Sequence, residues 1–253
     1  MNIAIITGAS AGLGIEFLNQ VYTRYSELDC IWIIARRADR LNSLAQSFPE
    51  GKVLPIALDL TKDESIHALK HMLCESEAAV RLLINNAGFG KLGNVDELDC
   101  IEQADIVALN CRALTAVTAL VLNHMESGST VINVCSISAF APNPRMTVYS
   151  ATKAYVMSFS RSLRFELKKK NINVLAVCPG PMSTEFLGIA GIGKGDSPTY
   201  DTLPFCIPSK VVHGALNACD KRRGVYTPTL FYKLYRVFAK LLPHSLVMYF
   251  SKT

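Results

Sequence analysis

The sequence predicts an α/β fold: one doubly wound domain whose parallel sheet of about seven strands is flanked by helices. Short, near-continuous apolar runs such as Asn2 to Thr7 (NIAIIT) and Cys30 to Ala35 (CIWIIA) have the composition of strands buried on both faces. Strand and helix patterns alternate from end to end without a Pro/Ser-rich linker. At 253 residues, half of them hydrophobic, the chain has the length to bury a real core.

In order, strand Asn2 to Thr7 runs into Gly8-Ala-Ser-Ala-Gly12-Leu-Gly14 and then a helix pattern. Glycines at such a strand-to-helix turn permit a tight bend and let backbone N–H groups approach a pyrophosphate, although the spacing is G-x3-G-x-G rather than G-x-G-x-x-G. A merely structural turn is the other reading. The second strand, Cys30 to Ala35, ends where a fold of this class presents an acid to the ribose 2′-hydroxyl of NAD. Arg36 and Arg37 stand there instead, and a guanidinium at that point pairs with a 2′-phosphate, favouring NADP. A solvated basic pair opening the next helix is the bland alternative.

Val53 to Leu58 is the third strand, followed by Asp59 and a helix start at Thr61; Arg81 to Ile84 is the fourth, closed by Asn85-Asn86-Ala87-Gly88. Ligands in open α/β sheets bind beyond the carboxyl ends of strands, so these turns should share the crevice of the glycine loop. A long helix from about Leu98 to Met125 carries Asn110 within an apolar stretch, where a satisfied core amide is the bland reading. Thr130 to Cys135 is the fifth strand and delivers Ser136; Asn173 to Cys178 is the sixth, closed by Pro179-Gly180; Gly224 to Thr227 is an edge strand.

Between the fifth and sixth strands, Tyr149 and Lys153 lie four residues apart in a helical pattern, so their side chains share a face. A phenol titrates near pKa ~10, and a fixed ammonium beside it favours the phenolate, bringing it within reach of acid–base work. Ser136, thirteen residues before Tyr149, can share the same substrate oxygen. Taken alone, Tyr-x3-Lys is also an ordinary helix-surface pair.

Thr7-Gly8-x3-Gly12-x-Gly14, Asn85-Asn86-Ala87-Gly88, Asn110, Ser136, Tyr149-x3-Lys153 and Pro179-Gly180 with Thr184 resemble, in order and spacing, the short-chain dehydrogenase/reductase family, closely over residues 2 to about 185. The resemblance implies a Rossmann-type domain over 1–253 and an NADP-dependent oxidoreductase interconverting a carbonyl and a secondary alcohol. It implies catalysis by Asn110, Ser136, Tyr149 and Lys153: Tyr149 as acid/base, Ser136 on the carbonyl oxygen, Lys153 lowering the Tyr149 pKa and holding the ribose, and Asn110 fixing a water in a proton relay. It implies NADP contacts from Gly8, Ser10, Gly12, Leu13, Gly14, Arg36, Asp59, Asn86, Gly88, Tyr149, Lys153 and Thr184, with Thr184 on the carboxamide. A homodimer or homotetramer through the helices bearing Asn110 and Tyr149 is implied too. Ser138 is a rival to Ser136, but the interval to Tyr149 favours Ser136. A non-catalytic dinucleotide sensor or scaffold on the same fold is the second function class; a hydrolase is disfavoured because Ser136 lacks a G-x-S-x-G elbow.

Residues 186–207, glycine-rich with apolar Phe186, Leu187, Ile189 and Ile192, suit a mobile lid over an apolar substrate (a steroid-like, aliphatic or acyl ketone) or an ordinary surface loop. The loop AFAPNPRM before Tyr149 is expected to line the same pocket. The net charge of +5 is uneven: residues 221–253 hold seven Lys or Arg and no acid, against nineteen basic and twenty-one acidic residues before them. The extension 228–253 places Lys233, Arg236 and Lys240 among apolar residues at helical spacing. Such a helix can lie weakly on an anionic membrane, cover the pocket or meet a partner subunit. Nucleic acid is not expected as a partner, since no recognition module is present. Eight cysteines without metal-site spacing read as reduced core residues, no metal is expected, and the start of the chain lacks a secretory pattern, so a cytoplasmic location is expected. No apolar run is expected to span a membrane.

Overall fold

The computed structural model describes residues 1–250. Seven parallel strands, β1 Asn2–Thr7, β2 Cys30–Ala35, β3 Val53–Ala57, β4 Ala79–Asn85, β5 Thr130–Val134, β6 Asn173–Val177 and β7 Val225–Tyr226, form one sheet in the order β3-β2-β1-β4-β5-β6-β7. The helices are α1 Gly12–Arg24, α2 Ala38–Ala45, α3 Asp63–Ser76, α4 Cys100–Val107, α5 Leu114–Val121, α6 Thr147–Glu166, α7 Glu185–Ile189, α8 Pro198–Thr202, α9 Pro208–Asp220, α10 Leu230–Leu241 and α11 His244–Phe250.

The continuous apolar strands are explained by two cores, one on each face of the sheet. In β1, Ala4 and Ile6 join Phe17 and Leu18 of α1 and Val212 and Leu216 of α9, while Ile3 and Ile5 join Leu69 and Leu73 of α3, Val117 of α5 and Leu163 of α6. Because strand side chains alternate between faces, every position must be apolar when both faces are covered. The chain winds outward from β1 to β3 and then restarts at β4 on the other side of β1. That reversal opens a crevice between the carboxyl ends of β1 and β4.

Three expectations change. The helix expected at Thr61 starts at Asp63, because Asp59 Oδ1 accepts hydrogen bonds from Thr61 N (3.1 Å) and Thr61 Oγ1 (2.7 Å) and holds that stretch as a turn. The helix expected from Leu98 runs over Cys100–His124, and it is long and apolar enough to cross a membrane, contrary to expectation. It is nevertheless a piece of the fold: Ala113, Val117 and Val121 are buried against the sheet, and Glu102, Asp105 and Arg112 interrupt it. All eight cysteines are free, but Cys74 and Cys100 are exposed rather than core. Within 186–207, Ala190 and Ile192 are buried; Ala190 O accepts from Leu92 N at 2.9 Å, and Asp196 O accepts from Arg145 Nη1 at 3.0 Å, so this stretch is pinned to the loops before α4 and α6.

Candidate active site

The carboxyl ends of the strands surround a cleft of ≈ 620 Å³. Its lining includes Gly8, Ser10, Gly12, Leu13, Arg36, Asp59, Asn86, Gly88, Ser136, Tyr149, Lys153 and Thr184, residues spread over 177 positions of sequence from Gly8 to Thr184. Of the residues expected at the site, Gly14 and Asn110 stand behind this surface and shape it.

The glycine loop is a cradle of backbone. Gly8 has φ +66, and a Cβ there would lie 2.7 Å from Ala87 Cα. On Gly14 it would lie 2.3 Å from Gly8 O. Asn86 Nδ2 donates to Thr7 O and Gly8 O, both at 3.0 Å, and Thr7 Oγ1 accepts from Asn86 N (3.0 Å) and Ala87 N (3.1 Å), tying the ends of β1 and β4 together. Helix α1 begins at Gly12 with no side-chain cap on its N-terminus, leaving its first N–H groups for an anion.

The two arginines after β2 differ. Arg37 is engaged: its Nη2 donates to Ser10 Oγ at 3.0 Å and its Nη1 pairs with Glu185 Oε2 at 2.9 Å, with Arg40 on the other carboxylate oxygen. Arg36 is exposed at the edge of the cleft, and among the described residues no hydrogen bond or ion pair holds its guanidinium. Burial works to raise the Asp59 pKa, but the Thr61 hydrogen bonds and the charges of Arg36 and Lys62 outweigh it and hold the carboxyl below its ordinary value. The cradle, the uncapped helix and a free cation one strand away fit a dinucleotide bearing a 2′-phosphate.

On the other side of the cleft, Ser136 caps a short turn, its Oγ accepting from Ser138 N at 3.1 Å and lying 3.2 Å from Ser138 Oγ, so the rival serine is its neighbour. Tyr149 and Lys153 are both on α6, 8% and 5% exposed, with Lys153 Nζ 5.6 Å from the Tyr149 ring centroid and donating to Val134 O at 2.9 Å. The Tyr149 phenol does not sit below its ordinary pKa, as the Lys153 expectation had it. Burial pushes it well above, Tyr200 adds to the effect, and the Ser136 hydrogen bond opposes it. Burial likewise holds the Lys153 ammonium below its ordinary value, against the pull of Cys135, Cys111 and Cys178.

Asn110 sits in a π-helical turn, Ala108–Ala113, between α4 and α5. Its Oδ1 accepts from Phe89 N at 3.0 Å, and its Nδ2 donates to Phe89 O at 2.9 Å and Thr152 Oγ1 at 3.0 Å. Both amide protons are therefore spent on clamping the turn after β4 to α6, which leaves the Asn110 oxygens as the groups able to accept from a water. Thr184 packs beside Gly12, where a Cβ would lie 3.2 Å from Thr184 Cβ.

Phe186 of α7 lies 5.4 Å, centroid to centroid, from Tyr149, and Leu187, Ile189, Tyr200 and Leu203 also face the cleft. Within 137–148, only Ile137, Ser138 and Asn143 reach it. Sequence reasoning passed over the Arg37–Ser10–Glu185 tether and Tyr200, because both depend on where a loop of variable composition folds back. None of the described residues of the extension lines the cleft. Helix α10 stands behind it, with Tyr232 Oη donating to Pro204 O at 2.6 Å and the Tyr232 ring filling the space that a Cβ on Gly180 would need, at 2.3 Å.

Fold and cleft define a doubly wound α/β protein of the nucleotide-binding class. Residues 2–190 match the family described as short chain dehydrogenase, and the chain belongs to that family of oxidoreductases. A probable NADP-dependent dehydrogenase of Haemophilus influenzae is 32% identical over 217 residues, 83% of this chain and 84% of that one. A short-chain dehydrogenase from Sphingobium yanoikuyae, solved in complex with NADPH, is 31% identical with a TM-score of 0.78 over 91% of this chain and 89% of that one. The bulky-bulky ketone specific alcohol dehydrogenase from Comamonas testosteroni is 27% identical, TM-score 0.74, over 95% and 93%.

Proposed function

We propose that this protein uses NADP(H) to interconvert a carbonyl and a secondary alcohol on an apolar substrate. The observation that carries the reading is that Ser136, Tyr149 and Lys153 share one cleft with the glycine cradle and the unengaged Arg36. When bound, the nicotinamide supplies or takes up hydride at the substrate carbon. In reduction, Tyr149 Oη gives its proton to the substrate oxygen while Ser136 Oγ donates a hydrogen bond to it, so both groups act where negative charge develops. Lys153 Nζ, anchored on Val134 O, offers its remaining donors to the ribose and steadies the phenolate once the proton has left. Asn110 is a positioning residue: it holds the backbone of Phe89 and, through Thr152, the helix that carries Tyr149. Gly8, Ser10, Gly12, Leu13, Gly14, Asp59, Asn86, Gly88 and Thr184 form the remainder of the cofactor site.

An apolar substrate is supported by Phe186, Leu187, Ile189, Met182 and Leu203 along the cleft; 186–207 serves as its lid within a single domain over 1–253. The subunits associate as a homodimer or homotetramer, supported by Val107 on α4 and Tyr155 and Phe165 on α6, which are 46%, 41% and 82% exposed. Eight free thiols suit a cytoplasmic location. The non-catalytic alternative predicts NADPH binding without turnover.

The 2′-phosphate assignment is tested by Arg36→Ala. A hydrogen bond to a charged group contributes ~1.5–3 kcal/mol, so NADPH affinity should fall about 10- to 100-fold and NADH affinity by less than about threefold. Equal losses for both cofactors, measured by fluorescence titration, would reject the assignment.

A further inference from the structure

Helix α10 presents its larger apolar face away from the protein. Tyr232 and Ala239 are buried, and Tyr235 and Arg236 are half-buried, Arg236 lying over the Phe140 ring at 5.9 Å. At about 100° per residue these four share one side of the helix. The opposite side carries Leu230, Leu234, Val237, Phe238 and Leu241, between 49% and 73% exposed. Lys233 and Lys240, both exposed, lie together along one edge of that stripe. A contiguous outward apolar face of this kind marks an interaction surface rather than ordinary solvent-facing structure.

Three occupants are conceivable, and charge separates them. The cleft is not one, since nothing from α10 lines it. A second copy pairing stripe to stripe would bring no acidic residue from 221–253 to answer Lys233 and Lys240. An anionic bilayer supplies both what the apolar stripe needs and what the lysines need. We propose that α10 docks on the surface of an anionic membrane, with Leu234, Phe238 and Leu241 entering the acyl boundary and Lys233 and Lys240 meeting headgroup phosphates. Its 12 residues span about 18 Å, short of a ~30 Å hydrocarbon core, so the helix lies in the plane of the interface. The surface is separate from the cleft, and the inference does not depend on the carbonyl chemistry.

The test is sedimentation of the full chain with phosphatidylcholine vesicles, with and without phosphatidylserine at about a third of the lipid. Wild type should partition to the anionic vesicles, and Lys233→Gln with Lys240→Gln should weaken that about 25-fold, at about fivefold per lysine. Leu234→Ser with Phe238→Ser should abolish partitioning to the anionic vesicles, while NADPH binding and the mass in solution stay those of wild type, because both residues are exposed. Failure of wild type to bind anionic vesicles would overturn the proposal. So would a fall in solution mass in the serine variant, which would assign the stripe to a second copy.

Discussion

Tyr149→Phe is expected to lower kcat by ~10²- to 10⁴-fold, the range lost with a positioned general acid, while leaving NADPH affinity within about threefold. The ring is retained, so its packing against Phe186 and Gly90 survives and only the proton donor is removed. The pH dependence follows from the direction of the shift. Because burial, and then Tyr200, holds the phenol well above its ordinary pKa, it keeps its proton throughout neutral pH. Ketone reduction, which consumes that proton, should therefore run level from about pH 6 to 9. Alcohol oxidation, which needs the phenolate as base, should climb across the same window. Stopped-flow and steady-state rates in both directions check this. A falling reduction rate below pH 9 would place the phenol pKa in the neutral range instead.

Gly14→Ala should be the most damaging change in the cofactor loop. Its Cβ would meet Gly8 O at 2.3 Å and Ala9 Cα at 2.8 Å, both backbone atoms that cannot rotate away. The loop must shift as a unit, costing ~1–3 kcal/mol of stability as overpacking does, and NADPH affinity should fall about tenfold or more with the displaced N–H groups. Gly188→Ala is the control, because nothing lies within 4 Å of its added carbon. Thermal melts and NADPH titration of the two variants should separate them clearly; equal behaviour would mean that the cradle tolerates a side chain.

The parts legible in the sequence are those where one physical constraint acts on every residue of an element. Strands β1 and β2 were expected at their observed bounds, since both faces are covered and each residue must be apolar. The residues lining the cleft were legible because strand ends in a doubly wound sheet converge. What depends on competition between terms was not. The spacing of Tyr149 and Lys153 shows that they share a helix face, but not that burial raises the pKa of the phenol. Asn110 reads as a lone polar residue, and only the π-turn reveals that its amide is consumed by Phe89 and Thr152. For α10, amphipathicity is visible in sequence, but the side turned to the protein is decided by Tyr232 fitting over Gly180. The tether from Arg37 to Glu185 joins residues 148 positions apart, beyond any local pattern.

The central claim is tested most directly by offering the purified protein NADPH with a panel of apolar ketones and following absorbance together with alcohol formation. The account predicts consumption of one NADPH per alcohol formed, greatest for apolar ketones and lost in Tyr149→Phe. Tight NADPH binding with no ketone reduced and no alcohol oxidised would contradict it and leave the cleft as a dinucleotide sensor.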